Sequence, residues 1–182
     1  MNNLIFVDCE TTGLKESTDH IVELALVAVE LPTFKEVAHF SAVVAPPLWP
    51  TVERNLHERV RSMHDGSGLL KEIRDAYDAE ANAYPTIETQ ALAFVRQWAP
   101  QTMNWHTPMA GANPDFDRRF LRARMPKLHQ AFHYRNFDVR SITLLSDWVF
   151  GTLRSEGAPH RALADCRKAI SDVRKFIGIE KG

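Results

Sequence analysis

Three apolar runs in close succession constrain the fold more than any other feature of this sequence: residues 4–7 (LIFV), residues 21–29 (IVELALVAV) and residues 37–44. Short runs rich in Val, Ile and Phe are strand-like, and Thr11-Thr12-Gly13 supplies turn chemistry after the first. Three strands in series predict an antiparallel meander. Pro46, Pro47 and Pro50 end that regime, and residues 52–83 are polar, with helix-like stretches around a loop at residues 64–68 (HDGSG). After Thr86, Ala91, Phe94, Val95 and Trp98 fall at i, i+3, i+4 and i+7, one apolar helical stripe stopped by Pro100. Residues 108–112 predict a fourth strand, and Asn113-Pro114 an N-cap with proline at the first helical position of a helix reaching Arg124. A fifth strand is expected at residues 134–138. A helix at 139–150 follows, with Asp138 as N-cap and Ile142, Leu145 and Val149 on one side. The last helix, 161–177, carries Leu163, Cys166, Ile170, Val173 and Ile177 at spacings of three and four. The pattern is a mixed α/β class in a single domain spanning residues 1–182.

The first strand ends in D-C-E. Strand side chains alternate, so Asp8 and Glu10 share a face and Cys9 points away. A carboxylate after a buried strand is costly to desolvate unless a cation meets it. Oxygen-only ligands favour Mg²⁺ or Mn²⁺. On its own the pair is a weak signal, explained most simply by placement at an exposed strand end, with two-carboxylate glycosidase chemistry a lesser alternative. Further along, Asp115 is an acid at a helix start, where it favours the positive end of the dipole. Asp117, two residues on, has no such explanation. Asp165 lies on the last helix, five residues after His160, which follows Gly157-Ala158-Pro159.

The net charge of −1, from 22 Lys and Arg against 23 Asp and Glu, leaves no global basic field for long duplexes. Between Arg118 and Arg140, however, basic residues greatly outnumber acids: Arg118, Arg119, Arg122, Arg124, Lys127, Arg135 and Arg140 against Asp138 alone. Any contact with nucleic acid is therefore local. The sequence holds no apolar stretch of membrane-spanning length and no charged secretory leader. Two cysteines, Cys9 and Cys166, are too few for a disulfide framework, and the chain is expected to be cytoplasmic.

Taken together, these segments resemble the DEDDh exonucleases of the DnaQ-like superfamily, which have a ribonuclease H-like fold. D-C-E-T-T-G-L is similar to their first motif, G-A-N-P-D-F-D-R-R-F-L to the second and H-R-A-L-A-D to the third. Within that group, H-D-G-S-G-L and F-H-Y-R-N-F-D-V look most like segments of the oligoribonucleases. The resemblance implies a mixed five-stranded sheet flanked by helices. It also implies a metal-dependent 3′-to-5′ exonuclease that hydrolyses single-stranded DNA or RNA to nucleoside 5′-monophosphates. Asp8, Glu10, Asp117 and Asp165 would hold two divalent cations, Mg²⁺ or Mn²⁺, and His160 would be the general base. Thr11, Leu14, His64, Asn113, Arg135 and Arg140 would contact the single-stranded 3′ end, with Leu14 wedged against a base. Tyr134 and Arg135, which reach a partner's site in that group, allow a homodimer.

Two narrower alternatives stand beside this: an oligoribonuclease proper, restricted to very short RNA, and a silent nucleic-acid-binding module on the same fold. Oligoribonucleases close their pocket on a dinucleotide with an aromatic residue upstream of the His64 position and hydroxyl residues after the D-V pair. Here Arg59, Arg140 and Ile142 hold those places, so the dinucleotide cap is not carried over.

Overall fold

The computed structural model describes residues 3–100, 106–150 and 160–179. Strands β1 (Asn3–Thr11), β2 (Ile21–Glu30), β3 (Lys35–Val43), β4 (Met109–Gly111) and β5 (Asn136–Asp138) form one mixed sheet in the order β3-β2-β1-β4-β5. The first three are the expected antiparallel meander, and β4 and β5 add in parallel to β1. β1 and β2 are central and covered on both faces, which is why each reads as an almost unbroken apolar run. The edge strand β3 instead alternates between exposed and half-buried residues.

Eight helices are described: α1 (Trp49–Arg54), α2 (Glu58–Gly66), α3 (Leu69–Asp78), α4 (Tyr84–Trp98), α5 (Pro114–Arg124), α6 (Pro126–Gln130), α7 (Val139–Phe150) and α8 (Ala162–Phe176). On one face of the sheet, Ile5, Val7 and Cys9 of β1 meet Ala91 and Val95 of α4 and Phe120 and Leu121 of α5. On the other, Leu4 and Phe6 meet Cys166, Ala169, Ile170 and Val173 of α8. A smaller cluster joins Val22 to Trp49 of α1 and to Leu69, Leu70 and Ile73 of α3. Phe120→Ala should lower stability by about 3–5 kcal/mol, the cost of a buried aromatic plus the void it leaves, read from the urea midpoint. No helix among the described residues is long and apolar enough to cross a membrane.

Three expectations are corrected. Residues 64–66 are not loop but the last turn of α2, and Gly68, with a φ of 77° that other residues seldom adopt, makes the junction to α3. α4 starts at Tyr84, before Thr86, because Pro85 is already acceptable in a first turn. α7 has its expected bounds, but its apolar side divides: Ile142 packs against the core while Leu145 and Val149 do not. Val139, Thr143 and Ser146 face inward, while Leu144, Leu145, Trp148 and Val149 are exposed, Trp148 to 81%. The segment 157–159 before His160 lies outside the described residues.

Candidate active site

The carboxyl ends of the parallel strands β1 and β4, with the turns that follow them, carry the candidate residues, the usual place for a ligand in an α/β sheet. β4 is short, and Gly111 approaches β1 so closely that a Cβ there would lie 2.7 Å from the Val7 carbonyl. Beyond that point the edge of β1 is free, and Asp117, in the first turn of α5, fills it: the Cys9 amide donates to Asp117 Oδ1 at 2.9 Å. The second acid motif is thereby fixed to the first. α8 packs on the face of β1 that carries Asp8 and Glu10, and ligand atoms of Glu10, His160 and Asp165 lie within 4.8 Å of one another. Residues from three distant segments therefore meet.

The electrostatics follow from that crowding. Burial, then the charges of Asp117, Asp165, Glu10 and Glu23, hold the Asp8 carboxyl well above the usual range. Burial, then Asp165, Glu23 and Asp117, push Glu10 to about 7. Asp117 rises to about 7 through burial, against the opposing effect of the Cys9 amide. Asp165 rises to about 6 through burial, with His160 working in the other direction. One Asp165 oxygen, Oδ1, is buried without a hydrogen-bond partner. A buried acceptor left open among mutually repelling carboxylates is what a hard divalent cation would satisfy, so the donor set fits such ions.

The outer residues divide. Leu14 is 77% exposed in the turn after β1. That turn is held from behind: Arg119 pairs with Glu16 at 3.3 Å, and Arg124 donates to the carbonyls of Asp19 and Ser17. Arg118 likewise donates to Asn136 Oδ1 and the His133 carbonyl. Part of the basic segment thus secures loops, leaving Arg122, Lys127, Arg135 and Arg140 exposed. Asp138 caps α7 through the Arg140 amide, as expected, and also accepts the Asn113 amide, which brings Asn113 and Arg140 to one corner. Asn113 adopts a φ of 64° and makes no side-chain cap bond.

Three residues are not placed as expected. His64 is fully buried at 0% exposure; its Nε2 lies 2.9 Å from the Thr11 carbonyl and its Nδ1 3.9 Å from Glu10. The ring packs against the end of β1 beside Glu10, buried where exposure was expected. Thr11 is buried too, its hydroxyl donating to the Gly13 carbonyl at 2.7 Å. Arg135 precedes β5, whose first residue is level with Met109 and through it with Ile5, so the strand register puts it at the amino-terminal edge, away from this chain's acids.

Sequence reasoning missed Glu23 and Arg161. Glu23 sits directly across from Glu10 on β2 and is only 2% exposed. Its signal was available, an acid within the apolar run 21–29, the same anomaly that marks Asp8 and Glu10.

The family model described as "Exonuclease" matches residues 5–171. An oligoribonuclease of Pseudomonas syringae pv. tomato is 35% identical over 177 residues, covering 96% of this chain and 93% of that protein. One of Alkalilimnicola ehrlichii is 34% identical over 186 residues, covering 96% and 88%. Among solved structures, cell-death related nuclease 4 has a TM-score of 0.71 at 18% identity, covering 98% of this chain and 64% of its own. The nuclease domain of 3′hExo, a DEDDh family member bound to rAMP, has a TM-score of 0.62 at 14% identity, covering 96% and 91%. These two likenesses concern the fold, a mixed sheet flanked by helices.

Proposed function

The chain belongs to the exonuclease family, with the activity of a 3′-to-5′ exonuclease on oligonucleotides, and we propose that it removes nucleoside 5′-monophosphates from the 3′ end of single-stranded DNA or RNA using two divalent cations, Mg²⁺ or Mn²⁺. The convergence of Asp8, Glu10, Asp117, His160 and Asp165 carries this reading. The four acids would hold the ions, which when bound supply Lewis-acid stabilisation of the attacking and leaving oxygens of an in-line displacement. His160, exposed at the mouth, accepts a proton from the attacking water, a task that requires the neutral imidazole. Leu14 packs against the terminal base, and Arg140 and Asn113 meet the sugar-phosphate backbone where Asp138 gathers them. His64 and Thr11 act behind the site, supporting β1. Intact acids in all three motifs weigh against a silent binding module.

The identity to oligoribonucleases favours a second reading, restriction to very short RNA. Against it, Arg59 and Arg140 are exposed charged residues where a dinucleotide cap would need an aromatic and a hydroxyl. A labelled dinucleotide and a labelled 20-mer, each with Mn²⁺ and with EDTA, separate the two. We expect both to be degraded with the ion and neither with the chelator. Complete preference for the dinucleotide would establish the narrow reading, and turnover in EDTA would contradict the metal-dependent mechanism. A single cytoplasmic domain and a homodimer complete the proposal, the latter supported by the exposed apolar side of α7.

A further inference from the structure

We infer that Glu23 and Arg161 form a clamp that positions His160, an assignment that rests on the reading of His160 as the base. His160 holds a φ of 54°, a left-handed conformation that a residue with a Cβ keeps only when its surroundings enforce it. The enforcement comes from the two residues that follow. Arg161 donates to Glu23 through Nε at 3.1 Å and through a terminal nitrogen at 2.9 Å. The same guanidinium reaches Glu72 of α3 at 2.9 and 2.8 Å and the Ser67 carbonyl at 3.4 Å. Glu23 Oε2 accepts the Ala162 amide at 2.9 Å, a cap on the first turn of α8 that no side chain of Arg161 itself provides.

One buried carboxylate near the start of β2 therefore fixes both residues after His160, and the guanidinium ties them to the α2–α3 junction as well. Glu23 lies opposite Glu10, where like charges facing each other across strands are unfavourable, and the Arg161 charge offsets that pairing. Since both its oxygens are engaged by Arg161 and Ala162, Glu23 is a positioning residue and not a further cation ligand. Lysine cannot reproduce the arrangement: it offers a point charge where the site uses a planar fork with partners on three elements.

The test is a double-mutant cycle in the full chain with Mn²⁺, reading single-turnover rates on a labelled oligonucleotide for R161K, H160A and R161K/H160A, with E23Q as a second clamp variant and melting curves to verify folding. R161K and E23Q should each slow turnover about 100-fold, the cost of a misplaced group, with KM and Mn²⁺ affinity little changed. In the H160A background, R161K should add nothing. An equal loss in both backgrounds, or a fall in Mn²⁺ affinity that accounts for the loss, would overturn the clamp while leaving the base assignment standing. Wild-type turnover in H160A would instead remove the base assignment, and the clamp with it.

Discussion

Asp8→Asn is expected to lower turnover about 1,000-fold or more while raising the melting temperature of the metal-free protein at pH 8. The first effect follows if the carboxylate helps to hold a cation that contributes several kcal/mol to the transition state, since each 1.4 kcal/mol is tenfold in rate. The second follows from the site itself. Burial and four neighbouring acids hold Asp8 far above its ordinary value, so its ionised form is a cost to the folded state. Asparagine keeps the shape without the charge. Asp115→Asn is the control: it is exposed on the helix that carries Asp117, pairs with Arg119 at 3.5 Å, and should leave both readings nearly unchanged. Turnover within tenfold of wild type in Asp8→Asn would remove this acid from the metal site, and an unchanged or lower melting temperature would contradict the repulsion inferred for the cluster.

The metal-free protein should also lose stability as pH rises from 6.5 to 8.5. Glu10 and Asp117, titrating at about 7, still bind protons there in the folded state, whereas the unfolded chain has released them near pH 4; Asp8, held well above its ordinary range, acts in the same sense. More protons on the folded side means that the free energy of unfolding falls with pH. Asp165, at about 6, has mostly titrated below this window. His20 and His64, whose pKa values are lowered chiefly by burial, act in the opposite sense, but below pH 6.5, where the unfolded chain takes up protons that these rings refuse. The net loss is on the order of 2 kcal/mol, read from urea midpoints in EDTA. Saturating Mn²⁺ should reverse it at pH 8.5, adding about 2.7 kcal/mol at one hundred times its dissociation constant. A flat profile in EDTA would show that the four acids are not crowded in solution.

What the sequence made legible was local and patterned. The meander, β4 with α5, and Asp8 and Glu10 on one face all followed from alternation, caps and the cost of a charge in an apolar strand. The failures share a physical cause, tertiary choice among locally equivalent options. In α7, periodicity groups Leu145 with Val149 as well as it groups Val139, Thr143 and Ser146, and packing against α8 and β4, not hydrophobicity, decides which side turns inward. The H-D-G-S-G segment looks like a loop because of its glycines, yet α2 runs to Gly66 before Gly68 makes the turn. Glu23 escaped notice because an isolated acid in a long apolar run has no motif around it, and its partner, Arg161, lies far along the chain.

β1 begins the sheet and α8 is laid across it last, so the two ends of the acid cluster are made at opposite ends of translation. Until α8 emerges and docks on Leu4 and Phe6, Asp8 and Glu10 have neither Asp165 nor His160 beside them, so the acid cluster is complete only once the last described helix is in place.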